Sequence, residues 1–242
     1  MPTVQPFPAG GYRFISHQFQ YSGGVAAEPG FRIERVRFAR PLRLADGFDA
    51  IDAYLARIGR SPTAFCACEL RSPAQFTNAG FVAFNRHYVE RLAAWGIFRE
   101  EVNPVARSNA RPPRRRFTPS AIRCRARTAR HAALSLPEAA KRTRAAPAMR
   151  GASFGPSPEA MREKACFVLA AMEQRMAALG FSWADVTATQ VYTIFEIHPL
   201  LADEFVRRGA MSGGLAWHFA CPPVQGLDFE VDVRGVAHEL VI

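Results

Sequence analysis

The chain has 242 residues, enough for one large domain or two small ones, and a hydrophobic content of 49% is enough for a real core. Its net charge of +10 would suggest a nucleic-acid binder, but residues 111–150 hold 12 Lys+Arg and one acid, Glu138, while the rest of the chain carries 19 bases against 20 acids. The folded-looking parts are therefore near neutral. Met1 to Ile15 lacks the basic start and apolar core of a secretory signal, and no apolar run approaches the ~20 residues that span a bilayer. The five cysteines (66, 68, 124, 166 and 221) form no CxxC pair and no Cys/His metal spacing. These features point to a reduced, cytoplasmic protein rather than a disulfide scaffold.

In chain order, Phe14-Ile15, Gln18 to Tyr21 and Phe31 to Phe38 read as strands, with a turn at Gly23-Gly24. Asp46 is placed to cap a helix that carries Phe48, Ile51, Leu55 and Ile58 at helical spacing and stops at Gly59. Ala64 to Leu70 is a short apolar run that reads as a buried strand, on which Cys66 and Cys68, two apart, should face one side. Phe81, Phe84, Tyr88, Leu92 and Trp95 mark one face of a second helix, which ends near Gly96.

A similar order follows later. Ser157 is placed to cap a helix with Pro158 at its first position and Glu159 in its first turn. Met161, Ala165, Val168, Met172, Met176 and Leu179 form its stripe, and Gly180 closes it. A methionine-rich stripe could be a sticky binding face, but a strand follows at once, so the stripe reads as core. That strand is Val186 to Ile194, rich in Thr, Val and Tyr. Pro199 opens a short helix through Leu200, Leu201, Phe205 and Val206. Trp217 to Ala220 and Leu227 to Val233 read as a closing strand pair. The two passages align at Gly59-Arg60-Ser61 and Gly180-Phe181-Ser182, which suggests two copies of one module.

Residues 111–150 fit neither copy. Eleven Arg, ten Ala and five Pro make up 26 of the 40 positions, with no sustained period of either kind. Two readings are open: a genuine basic linker, or text read out of frame from a GC-rich gene between compensating frameshifts. The division is then 1–110 as a first module, 111–156 as the anomalous basic segment and 157–242 as a second module.

The helix ending in Gly59, the strand Ala64 to Leu70, Phe81-x-x-Phe84-Asn85-x-x-Tyr88 and Pro104-Val105-Ala106-Arg107-Ser108 together resemble the RidA family of reactive-intermediate deaminases, also described as L-PSP endoribonuclease-like. Phe229-Glu230-Val231-Asp232-Val233 resembles that family's last strand. The two-module length and the wording Asn103 to Asn109 are closest to its aminomuconate-deaminase-like branch. The resemblance implies an α+β fold of two tandem chorismate-mutase-like modules, each a mixed sheet with two helices on one face, the second one incomplete. It implies a homo-oligomer of trimer type with ligand sites in clefts between modules. The implied activity is hydrolysis of an enamine or imine acid, of the 2-aminoacrylate or aminomuconate type, to a keto acid and ammonia, with no metal or organic cofactor. Where the second module should carry the arginine, the chain has Gly213-Gly214-Leu215-Ala216-Trp217-His218, so only the first should hold a carboxylate in the family manner.

With that motif, Arg107 is the leading site residue, because a planar guanidinium can grip a carboxylate through two parallel hydrogen bonds and lysine cannot. A surface ion pair is the plain alternative. Glu230 is the acid candidate: Phe229, Val231 and Val233 should share one face and Asp228, Glu230 and Asp232 the other. A carboxylate near an imine carbon can position water or relay a proton, whereas a solvated strand face is the bland reading. Ser108, Asn85 and Tyr88 complete the substrate-binding set, with Tyr88 also readable as core. Ser108 lacks a His/Asp pattern for nucleophilic work, and His218 beside Trp217 reads as a packed strand histidine. Two rival functions stand beside the deaminase. One is a non-catalytic module that binds small carboxylates. The other is a nucleic-acid-binding or endoribonuclease-type protein using the basic segment, although without aromatic interleaving such binding would be non-specific.

Overall fold

The computed structural model describes residues 2–40, 42–71, 74–110, 120–126, 134–141 and 156–242. An N-terminal meander consists of β1 (Val4–Phe7), β2 (Tyr12–Ile15) and β3 (Val25–Ala27). A first half follows: β4 (Phe31–Arg37), α1 (Leu44–Arg57), β5 (Phe65–Arg71), α2 (Asn78–Ala94), β6 (Ala106–Ala110) and β7 (Ser120–Ala126). A second half comprises β8 (Leu134–Lys141), α3 (Pro158–Leu179), β9 (Ala188–Thr193), α4 (His198–Leu200) running into a π-helical turn over Leu201–Val206, β10 (Leu215–Phe219) and β11 (Leu227–Arg234). A last strand, β12, covers His238–Val241.

The two halves share one topology. In the first, the strands lie in the order β4-β7-β5-β6; in the second, β8-β11-β9-β10. In both, the first two neighbouring pairs are antiparallel and the last pair is parallel. The terminal strands are exchanged between them. The N-terminal meander joins the second half through β3 and β8, and β12 runs parallel to β4 of the first. Each half thus has its sheet extended by residues from the far end of the chain.

Local rules explain most elements. The Ser157 side chain accepts from the Ala160 N–H, Pro158 opens α3, and Gly180 ends it at φ 84°, a left-handed position suited to glycine. The methionine stripe of α3 is core: Met161, Met172 and Met176 pack with Val168, Val191, Phe229 and Val231. Burial of each such side chain contributes about 1.5–3 kcal/mol. Phe48, Ile51, Leu55, Tyr88 and Leu92 of α1 and α2 cover Phe65, Cys68 and Leu70 of β5. A third cluster joins Tyr12, Phe14 and Val25 to Ile33, Ala106 and Val236, and so knits the termini to both halves.

Several expectations are corrected. Arg43, not Asp46, is the N-cap of α1; Asp46 sits in the first turn and accepts from the Arg43 Nε at 2.9 Å. Gln18 to Tyr21 forms one isolated bridge rather than a strand. A register shift between Phe65 and Ala67 sends Cys66 and Cys68 into different apolar clusters. Trp217 to Ala220 and Leu227 to Val233 are not neighbours: β10 lies parallel to β9 on one side, and β11 lies antiparallel on the other. The second half is not short of strands, because β8 pairs with β11 from Ser135 to Lys141. Both β7 and β8 fall within 111–150, where no strand period is visible; ladder bonds are made by backbone, which any non-proline residue supplies. The remainder of the 111–156 reading lies outside the described residues. Among those described, no helix is long and apolar enough to cross a membrane.

Candidate active site

Asn103 positions the strand that carries Arg107. Its amide donates to the Phe19 and Gln20 carbonyls, both at 3.1 Å, and its Oδ1 accepts from the Val105 N–H at 3.0 Å. The Ser22 N–H then bonds the Val105 carbonyl at 2.9 Å. This turn delivers β6 to the edge of the first sheet, where Arg107 lies opposite Cys68 and Ser108 opposite Glu69.

Arg107 is 2% exposed. Its guanidinium carbon stands 4.7 Å from the Tyr88 ring centroid, 5.4 Å from Phe81, 5.7 Å from Tyr21 and 5.9 Å from Phe84. Such distances are within the range of cation–π attraction. Burial pushes its pKa below the ordinary arginine range, and Tyr88, Cys68, Tyr21 and the Glu230 carboxylate act in the opposite direction. The surface ion pair considered from sequence is therefore not what the fold builds. Tyr88 is fully buried, with its hydroxyl 3.3 Å from the Cys68 Sγ. Burial raises both groups, the thiol to about 11. Asn85, one turn from Phe81 and also fully buried, donates to the Phe81 carbonyl at 2.6 Å, and its Oδ1 has no hydrogen-bond partner among the described residues.

Glu230 and Asp232 face inward from β11 and are 4% and 5% exposed, so this is not a solvated strand face. Asp228, at the register shift between Leu227 and Phe229, instead takes the Lys164 ammonium of α3. Asp232 is a hub. It accepts from Ser108 Oγ at 2.5 Å, Gln190 Nε2 at 2.8 Å and the Tyr192 hydroxyl at 2.9 Å. Burial, helped by the Glu69 charge, raises its pKa, while Ser108, Arg234 and Tyr192 pull the other way. His218 is half-buried and stacked on Tyr192 at 4.7 Å, with its Nε2 2.9 Å from Gln190 Oε1, so it belongs to this hub rather than to the apolar core.

Glu230 thus lies within electrostatic reach of Arg107, and Asn85 and Tyr88 are on the helix whose Tyr88 ring packs against the guanidinium. The structure does not bring Ser108 to the same place. Adjacent residues of a strand point to opposite faces, and the Ser108 hydroxyl is taken by Asp232. Asn103, Tyr21 and Gln190 are not among the sequence candidates. The signal for Asn103 was present, since it begins the passage that ends in Arg107.

Two loops roof this region. The Phe76 N–H bonds the Pro223 carbonyl at 2.7 Å, the Gln225 N–H bonds Phe76 at 2.9 Å, and Gln75 Nε2 reaches the Pro222 carbonyl at 2.9 Å. Phe76 stacks on Phe84 at 5.2 Å. Between these loops and β9 is a cavity of about 250 Å³ lined by Gln75, Phe195, Cys221, Leu227 and Asp228; Arg107, Glu230, Asn85 and Tyr88 are not among its lining residues. Among the described residues, no group of three His, Cys, Asp or Glu is arranged to hold a metal ion.

Residues 4–240 match the family model described as 2-aminomuconate deaminase CnbZ. The chain belongs to the 2-aminomuconate deaminase CnbZ family. A 2-amino-5-chloromuconate deaminase from Comamonas testosteroni is 46% identical over 251 residues, covering 100% of both chains. Membership supports an enzyme that acts on C–N bonds. The match names this deaminase family and not RidA. Among solved structures, a chorismatase superposes with a TM-score of 0.50 at 12% identity, covering 92% of this chain and 79% of that one. At that identity the likeness is one of fold, here a mixed α/β fold, and not of chemistry.

Proposed function

We propose that the protein hydrolyses a 2-aminomuconate-type enamine or imine acid to the keto acid and ammonia, without a metal or organic cofactor. The observation that carries this reading is Arg107, a cation of the first half buried among aromatic rings and within electrostatic reach of the buried Glu230 carboxylate of the second. Arg107 holds a substrate carboxylate through paired, charge-assisted hydrogen bonds. That grip orients the C=N carbon toward a water beside Glu230. Water adds to the carbon and its proton passes to Glu230. The nitrogen takes up that proton to give the carbinolamine; the hydroxyl proton then passes by way of Glu230 to the amino group, the C–N bond breaks, and ammonia leaves as the carbonyl forms. Because Arg107 is enclosed, the roof of Phe76, Phe81 and Phe84 must shift to admit substrate, which also keeps bulk water from the reacting carbon.

The repeated strand order of the two halves supports a relation between them as copies of one module, and the family's printed name supports the substrate class. A homo-oligomer of trimer type is part of this reading, and light scattering on the purified protein reads it. The test of the chemistry is ammonia release from 2-aminomuconate. Arg107→Ala should lower kcat/KM by about a hundredfold or more, as expected when one partner of a buried charge pair is removed. Glu230→Gln should lower kcat with less effect on KM. Undiminished turnover in both variants contradicts the assignment. Tight carboxylate binding by a wild-type protein that releases no ammonia would favour the non-catalytic binding module instead.

A further inference from the structure

The reading above assigns Arg107 to one half and Glu230 to the other, so the spacing between β6 and β11 decides whether the anchor and the acid serve one substrate. β6 is the last strand of its sheet, paired with β5, bridged to Ser22 at Ala106 and packed against β8. Its side-chain link to β11 is the Ser108–Asp232 hydrogen bond of 2.5 Å. Ser108 immediately follows Arg107, and Asp232 lies two residues beyond Glu230 on the same face of its strand. The bond therefore ties the two strands next to the residues that would do the chemistry.

Asp232 is equipped for this task. A buried carboxylate is costly unless hydrogen-bonded, and it receives donors from both halves: Ser108 from the first, Gln190 and Tyr192 from the second. Gln190 and Tyr192 fix the carboxylate within its own sheet. Their hold is backed by His218, which bonds the Gln190 amide and stacks on Tyr192. The carboxylate is thus a rigid post that the Ser108 hydroxyl of β6 grips, beside the packing of β6 against β8.

We propose that Asp232 is a positioning residue, one that fixes the separation of Arg107 from Glu230 by accepting the Ser108 hydroxyl across the junction of the two halves. This rests on the deaminase reading of Arg107 and Glu230. Asp232 does not touch the substrate. Its loss should leave Arg107 able to bind a carboxylate while the C=N carbon drifts from Glu230 and its water, so kcat falls and affinity does not.

The experiment uses the full-length protein, with ammonia release for kcat and calorimetric binding of adipate, a non-reactive dicarboxylate, for affinity and stoichiometry. Ser108→Ala and Asp232→Asn should each lower kcat about tenfold, the loss of one charge-assisted hydrogen bond. Adipate affinity and stoichiometry should stay at wild-type values, which a loss of folded protein would not allow. Ser108→Thr, which keeps the hydroxyl, should retain kcat. The double variant should lose no more than the worse single one, because both remove the same bond. Wild-type kcat in Ser108→Ala, or losses that multiply in the double variant, overturns the inference. If Asp232→Asn does not fold, Ser108→Ala decides alone. Arg107→Ala separates the two claims. If it abolishes adipate binding while Ser108→Ala keeps full kcat, the deaminase reading stands and the positioning role falls. If it binds adipate normally, the parent reading falls and the positioning role with it.

Discussion

The edge strands β6 and β10 occupy the same place in two sheets of the same order, yet they carry different chemistry. The second half follows the first at a spacing of 121 residues, from Gly59 to Gly180, so that Cys68 corresponds to Thr189. Arg107 lies opposite Cys68, and Leu215 lies opposite Thr189. One half therefore presents a caged guanidinium where the other presents a leucine packed against the core of α3. The acids Glu230 and Asp232 belong to the half that lacks the arginine. The comparison teaches that a repeated fold need not repeat a site. In the function proposed above the halves divide it, and each is incomplete without its neighbour.

The strongest way to break that comparison is to make the halves alike. Leu215→Arg restores the arginine to the second edge strand, but it inserts an unpaired charge beside an apolar cluster. It should destabilise the protein by about 1–3 kcal/mol and add no second active site. Chemical denaturation gives the first quantity. Ammonia release per mole gives the second; a doubled turnover number would mean that the halves are equivalent after all.

A smaller effect sharpens the role of the exchanged termini. Glu239 of β12 accepts from Arg35 of β4 at 3.0 Å and from Arg234 of β11 at 2.9 Å, and Arg35 also grips Glu69 at 2.8 and 2.9 Å. Burial works to raise the Glu239 pKa, but Arg35 and Arg234 together bring it below the ordinary 4.5. A carboxylate lowered on folding contributes stability that is present above its unfolded value and is lost as pH falls through the folded one. Glu239→Gln should therefore be less stable than wild type at neutral pH, with the gap closing below about pH 4.5. Because Glu239 is part-exposed, the difference should be modest, within about 1 kcal/mol. Melting curves across pH 3 to 7 check it; a gap that widens on acidification would show that the ion pairs do not act as described.

Much of this was legible in the residues. Ser157, Pro158 and Gly180 bound α3 because capping chemistry is local, and the passage ending in Arg107-Ser108 marked the strand on which the proposed site rests. What was hidden depends on contacts distant in sequence. Nothing in the Arg- and Ala-rich stretch marks 120–126 and 134–141 as strands, since their places are set by ladders to β4, β5, β3 and β11. The exchange of β1 to β3 and β12 between halves leaves no local trace. The separation of Ser108 from Arg107 was readable from strand alternation. Its partner was not, because Asp232 lies 124 residues away.

The most direct test of the central claim is a crystal structure of the protein with adipate bound. The account predicts one carboxylate in bidentate contact with the Arg107 guanidinium, at about 2.7–2.9 Å, with Glu230 alongside the chain carbon next to it. Adipate seated elsewhere, with Arg107 still closed within Tyr21, Phe81, Phe84 and Tyr88, would contradict it.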